Sequence, residues 1–195
     1  MNASIPAPSK LFSAIQSVIT TNALPALGPV ARKGVKPVSQ LRSELDAILT
    51  QERVSATVFS LLNAAALLWH DHLDAAHTIV QDAHSAEGAF LHGIMHRREP
   101  DYGNAKYWFH RVGRHKTFPT VASRVRELFS ARQTRDHSNL VSNDEWQPMN
   151  FIDACQAVAD RAPGDAGVSL LQEVQQVEFA VLLTHICSMG RSFPA

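Results

Sequence analysis

The chain has 195 residues, of which 45% are hydrophobic, and its formal net charge at pH 7 is zero. This length and apolar content suffice for one hydrophobic core, so we expect residues 1–195 to form a single domain. Balanced charge gives no positive field around the whole molecule. We therefore expect neither nucleic acid nor an anionic membrane surface as a partner.

The cysteines and the most apolar segments of the sequence indicate the cellular compartment of the protein. Cys155 and Cys187 stand in predicted helices without C-x-x-C spacing, which is typical of a reduced intracellular protein. Residues 1–8 lack a basic stretch followed by an apolar run, so no secretory signal is expected. The most apolar run, residues 56–69, is shorter than the roughly 20 residues that span a bilayer. These features predict a cytoplasmic protein.

Apolar residues recur at helical spacing through the N-terminal half. A first helix, which Ser9 can cap, carries its apolar face on Leu11, Phe12, Ile15 and Ile19. Prolines and glycines over residues 24–38 predict an irregular connection. Further helices are predicted from residue 39 and over 54–69, 74–84 and 86–99. The helix over 54–69 is hydrophobic on nearly every side, so we expect it to be central.

The C-terminal half also has helical periodicity. A short helix around Trp108 ends at Gly113, another covers 121–131, and a polar loop follows over 133–143. Residues 142–145 match the S-x-x-E capping box, which predicts a helix from there to about residue 160. The last helix is predicted over 168–189. Because no alternating strand pattern occurs, we expect an all-α, bundle-like domain of about seven to eight helices.

Eight of the ten histidines lie between residues 69 and 115. His92 and His96 are four residues apart on one predicted helix, so their side chains share a face. His77 on the preceding helix could complete a three-histidine site for a divalent metal such as zinc, nickel, iron or manganese. Asp74 or Gln81 could orient a histidine of that site.

Other histidines are weaker candidates, because such pairs also arise by chance in histidine-rich helices. His70, His72 and His84 lie close to the predicted ligands in sequence, but the first two also suit a polar helix junction. The remaining four have no partner at ligand spacing, and no role is predicted for them: His110, His115, His137 and His185.

Arginines beside the histidines suggest a second kind of site. Arg97 and Arg111, with the aromatic rings of Tyr107 and Trp108, could hold a carboxylate, phosphate or sugar-like ligand by bidentate hydrogen bonds and stacking. Alternatively, Arg97 or Arg98 could form a salt-bridged network around Pro100 with nearby carboxylates.

A longer motif contains most of these residues. The string Leu91-His92-Gly93-Ile94-Met95-His96-Arg97-Arg98-Glu99-Pro100-Asp101, followed by Asn104-Ala105-Lys106-Tyr107-Trp108, resembles the core of an uncharacterised family of bacterial and fungal α-helical proteins. The resemblance implies no established activity. It does imply that one pattern joins His77, His92, His96, Arg97, Glu99, Asp101, Asn104, Tyr107, Trp108 and Arg111.

The main hypothesis is a divalent-metal-dependent enzyme that acts on a small polar molecule. Its metal ligands would be His77, His92 and His96. The catalytic group would comprise His77, His92, Glu99, Arg97 and Arg111, with the arginines stabilising developing negative charge. Ligand binding would fall to Asp74, Asp101, Asn104, Tyr107 and Trp108.

Two alternatives remain open from sequence alone. The same pocket could be a non-catalytic binding module for an anionic or sugar-like metabolite. It could also be a purely structural network built from Asp74, His77, Glu99, Asp101 and Arg97.

Glu178 interrupts the apolar face of the last helix, where an unpaired carboxylate would be costly. We predict that it pairs with a basic group of residues 92–111, which would place that helix beside the polar cluster. The alternative is a position at the solvent edge near Gln175 and Gln176.

Overall fold

The computed structural model describes residues 10–162 and 164–190, and these form nine α-helices, a short 3-10 turn and one hairpin. The helices are α1 (Lys10–Ile19), α2 (Val38–Gln51), α3 (Ala56–Trp69), α4 (Leu73–Val80), α5 (Ala86–Arg98), α6 (Tyr102–Val112), α7 (Phe118–Ala131), α8 (Pro148–Ala157) and α9 (Ala166–Met189). The predicted all-α class is confirmed, with nine helices in place of seven or eight. Ser9, the predicted cap of α1, lies outside the described residues.

Two helices, α3 and α5, form the centre of the molecule. Every residue of α3 from Leu61 to Trp69 is buried, as its hydrophobic composition predicts. Helix α5 is buried from Glu87 to Arg98 although it contains two histidines and two arginines. Helices α3, α4 and α6 pack against α5, and α9 packs against α3. The polar side chains of α5 must therefore find partners inside the protein.

A glycine allows the close approach of α5 and α6. A Cβ atom at Gly93 would lie 2.7 Å from the ring of Phe109, closer than carbon atoms pack in proteins. The absence of a side chain at this position lets α6 lie directly against α5. This packing brings the neighbouring Trp108 ring onto the face of His92.

A buried ion pair joins α5 to the C-terminal half of the chain. Arg97 Nη2 lies 2.6 Å from Glu178 Oε2, and both side chains are fully buried. Trp146 donates to Glu178 Oε1 at 3.2 Å, Arg97 donates to Gln175 at 3.4 Å, and the Arg97 guanidinium lies 4.2 Å from the Phe151 ring centroid. The prediction that Glu178 pairs with a basic group of residues 92–111 is confirmed.

A second buried network holds the irregular connection before α2. Asp71 accepts from Arg98 Nη2 and from Arg32 Nε, each at 2.7 Å. Arg98 also donates to the carbonyl of Ala26 at 3.0 Å, and Arg32 donates to the carbonyl of Trp69. Burial alone would raise the pKa of Asp71, but these hydrogen bonds hold it below its usual value. Charge pairing therefore orders a segment that its prolines and glycines keep out of regular structure.

The capping box predicted over residues 142–145 is wrong. These residues belong to a hairpin in which β1 (Val141–Ser142) pairs antiparallel with β2 (Glu145–Trp146). Asn143 and Asp144 have φ values of 49° and 61°. Two successive residues with positive φ form a tight turn that reverses the chain, so Ser142 and Glu145 face each other across two strands. Helix α8 begins later, at Pro148.

The described helices include none that is both long enough and apolar enough to cross a lipid bilayer. Cys155 and Cys187 are both buried and are not joined in a disulfide bond. Burial raises the pKa of the Cys155 thiol to about 12, so this group is protonated at neutral pH.

We expect the Arg97→Met substitution to lower the free energy of unfolding by about 3–5 kcal/mol, because it leaves the Glu178 carboxylate buried without a counter-charge. The double variant Arg97→Met/Glu178→Leu removes both charges and should recover much of this loss. Equilibrium urea unfolding measures both effects.

The control is Arg132→Met, which removes an exposed ion pair between Arg132 and Glu173. Glu173 lies on α9, as Glu178 does. It should change stability only slightly, since exposed pairs contribute little. If Arg97→Met and Arg132→Met lower the free energy of unfolding equally, the structural role of the buried pair is contradicted.

Candidate functional site

Three histidines from two helices converge between α4 and α5. His77 lies on α4, and His92 and His96 lie one turn apart on α5. One nitrogen of each ring lies within 4.8 Å of the others. The rings of His92 and His96 stack with centroids 4.7 Å apart, and His77 meets them edge-on at 4.9 and 5.3 Å. The structure thus brings together the three residues predicted as metal ligands.

His92 is buried without the hydrogen bonds that a buried imidazole normally has. Its ring stacks on Trp108 with centroids 3.8 Å apart, and among the described residues neither ring nitrogen makes a hydrogen bond. Burial, and then the nearby His96 and His77, lower the pKa of His92 to about 4 against the opposing effect of the Val80 carbonyl. The ring is therefore neutral at neutral pH and has a free lone pair.

His96 is oriented by polar groups at both ring nitrogens. Nδ1 lies 3.1 Å from Glu99 Oε2 and 4.0 Å from Asp101 Oδ2, while the Asn104 amide nitrogen lies 3.1 Å from Nε2. Burial lowers the pKa of His96 against the opposing effect of Glu99. When the ring is neutral with its proton on Nδ1, the Nδ1–H group donates to Glu99. The lone pair on Nε2 then accepts from the Asn104 side chain.

A cleft of about 780 Å³ is lined in part by Glu99 and Asp101, the two carboxylates near His96. Its lining includes the carboxylates of Asp71, Asp74, Glu99 and Asp101, and within the described part of the chain no lysine or arginine lines it. Glu99 belongs both to this lining and to the surroundings of His96. Within the described residues, His77, His92 and His96 are not part of this lining, so the acidic cleft adjoins the histidine cluster only through Glu99 and Asp101.

The predicted arginines lie outside this cluster. Arg97 is fully buried in its pair with Glu178, on a different face of α5. Arg111 is exposed, and its guanidinium lies over the α6 rings of Trp108 at 5.2 Å and Tyr107 at 5.9 Å. Tyr107 is also exposed, by 52%. The pocket with two arginines that anion recognition would require is not assembled.

Two of the predicted ligand-binding carboxylates lie outside the histidine cluster. Asp74 is exposed, and Asp101 caps α6 by accepting from the backbone N–H of Asn104 at 3.2 Å.

Two other histidines, at the junction of α3 and α4, bind the irregular connection. The Lys36 amide donates to His70 Nδ1 at 3.1 Å, and His72 Nε2 lies 2.8 Å from the Lys36 carbonyl. These contacts correspond to the polar helix junction considered for His70 and His72.

The sequence interpretation missed a second cluster. Glu87 at the start of α5, His115 between α6 and α7, and His185 on α9 place one ligand atom each within 4.8 Å of the others. The neighbouring His115 and His185 rings hold the pKa of Glu87 well below its usual value, against the effect of burial. These residues are 28 or more positions apart in the sequence, so no helical spacing connects them.

No model of a protein family matches the chain, and comparisons with curated proteins and with solved structures find no similar protein.

Proposed function

We propose that the protein is a metal-dependent enzyme that acts on a small polar molecule, with a divalent metal held by His77, His92 and His96. The observation that carries this proposal is the buried imidazole of His92, whose nitrogens have no hydrogen-bond partner among the described residues. An unpaired buried polar group costs about 1–3 kcal/mol. A metal ion would satisfy the His92 lone pair and compensate this cost.

The donor set suits such an ion. Three neutral imidazoles bind zinc, nickel, iron or manganese, and three protein ligands leave coordination positions open for a substrate. When bound, the metal would supply Lewis-acid chemistry and activate water at neutral pH. His92 needs no deprotonation before it can bind, because its pKa is already low.

Glu99 and Asn104 are positioning residues in this proposal. Glu99 holds the proton of His96 on Nδ1, which leaves the Nε2 lone pair as the donor for a metal ion. Asn104 now donates to Nε2, and rotation of its amide would turn an oxygen towards an ion at that position. These contacts fit a metal centre whose ligands are oriented before binding.

The carboxylates of the cleft favour a cationic or hydroxyl-rich substrate. Asp74, Glu99 and Asp101 give the lining a negative potential, which would repel a carboxylate or phosphate. The anion-binding hypothesis relied on Arg97, but the guanidinium of this residue forms a buried ion pair with Glu178. The anion-binding alternative therefore has less support than an enzyme for amines or polyols.

His92→Phe tests the metal centre. We expect this variant to bind one equivalent of zinc fewer than the wild type, because phenylalanine keeps the stacking on Trp108 but lacks nitrogen donors. The metal-free variant should be at least as stable as the metal-free wild type, since an unpaired polar group has been removed. Metal per chain is measured by mass spectrometry on protein without an affinity tag, after chelation and dialysis against zinc.

The control for this experiment is His110→Phe, a substitution at an exposed position of α6 that should leave zinc binding unchanged. Equal zinc content in His92→Phe and the wild type would refute the proposed centre.

Glu99→Gln should weaken zinc affinity at the same centre by roughly 10–100-fold, because it removes the charged partner that orients His96. Asp74→Asn is the matched control: it neutralises another carboxylate of the cleft, which lies on α4 and is exposed. Competition titration with a zinc-chelating dye measures both affinities. If the two variants lose zinc affinity to a similar extent, the total negative charge of the cleft, and not the orientation of His96, determines the affinity.

Catalysis is tested with a mixture of small amines, polyols and organic acids incubated with zinc-loaded protein. We expect mass spectrometry to show that at least one amine or polyol is consumed by the wild type and not by His92→Phe. If no compound changes while the protein still binds zinc, the centre is not catalytic towards these classes and the enzyme proposal fails.

A further inference from the structure

The second cluster consists of Glu87, His115 and His185, which come from three segments of the fold. His185 Nε2 lies 2.9 Å from Glu87 Oε1, and His115 Nε2 lies 3.7 Å from the same oxygen. The two imidazole rings have centroids 5.4 Å apart. The side chains of Glu87, His115 and His185 are only 10%, 3% and 11% exposed. Three donor atoms thus lie within 4.8 Å of one another on side chains that are nearly shielded from solvent.

His115 has one ring nitrogen occupied and the other unused. Its Nδ1 lies 2.7 Å from the hydroxyl oxygen of Thr117 and also accepts weakly from the Thr117 amide at 3.3 Å. Its Nε2 is buried and, in the part of the chain that the structure describes, has no hydrogen-bond partner. While Nδ1 accepts from the Thr117 amide, the proton of the neutral ring is on Nε2; in the other tautomer the Nδ1–H group donates to the Thr117 hydroxyl instead, and Nε2 has a lone pair available beside Glu87. This arrangement is the one that metal-binding histidines adopt.

The charges around Glu87 favour a cation between these three side chains. Glu87 lies against the imidazoles of His115 and His185, which are positive only when protonated, whereas the buried carboxylates of Asp71 and Glu178 are each paired with arginine. A buried carboxylate needs a positive partner to offset its lost hydration. A divalent ion between the carboxylate and two neutral imidazoles would provide one.

We propose that Glu87, His115 and His185 form a second divalent-metal site, with the two-histidine, one-carboxylate donor set that zinc accepts. The ion would link the start of α5 to α9 and to the connection between α6 and α7. Its role is structural: it holds α5, the helix that also carries His92 and His96. The site shares no ligand with the proposed catalytic centre, so either site can exist without the other.

The experiment is zinc stoichiometry of the full chain, without an affinity tag, in four forms. We expect two equivalents in the wild type, one in Glu87→Gln, one in His92→Phe and none in the double variant. Glu87→Gln keeps the size of the side chain while removing the charge. Zinc should raise the melting temperature of His92→Phe, and this increase should be lost in the double variant.

The two proposals fail in different ways. If His92→Phe binds less zinc than the wild type while Glu87→Gln binds as much as the wild type, the second site is overturned and the catalytic centre stands. The reverse result would support the second site and refute the catalytic centre.

X-ray absorption of zinc-loaded His92→Phe covers the case in which Glu87→Gln does not fold. Scattering from two imidazoles per zinc supports the second site, and scattering from none or one overturns it. Thr117→Val provides a further check, because loss of the Thr117 hydroxyl should weaken zinc binding at least tenfold in the His92→Phe background.

Discussion

The buried pair of Arg97 and Glu178 is the constraint on which the rest of the structure depends. Because successive residues of an α-helix are rotated by roughly 100°, directing Arg97 towards α9 fixes the rotation of α5 about its axis. His92 and His96 then face α4. A charge as costly to bury as an arginine has few acceptable positions, so it specifies this orientation more sharply than apolar packing would.

Each polar face of α5 therefore has its own partner. Arg97 meets α9, Arg98 meets Asp71 and the irregular connection, and the two histidines meet α4. The first two contacts are ion pairs that hold the fold together. The histidines differ, because His92 gains no hydrogen bond within the described chain. A buried polar group that lacks a partner calls for an explanation beyond stability, and the proposed metal centre would provide one.

Much of the fold and part of the site could be predicted from local patterns. Helical periodicity located most helices, and the apolar composition of residues 56–69 identified α3 as central. The spacing of His92 and His96 placed both on one face of α5, with His77 on the helix before it. Residues 142–145 were misread because a capping box and a tight hairpin turn use the same small polar residues.

The sequence by itself determined which residues share a helix face, because that spacing depends only on the local backbone. It also indicated a basic partner for Glu178, because a carboxylate buried on an apolar face is costly, but it left a position at the solvent edge open. Only the tertiary structure decided that this partner is Arg97, which removed the arginine from the predicted pocket. It alone assembled Glu87, His115 and His185, since contacts between segments far apart in the chain arise from helix packing and leave no periodic signal.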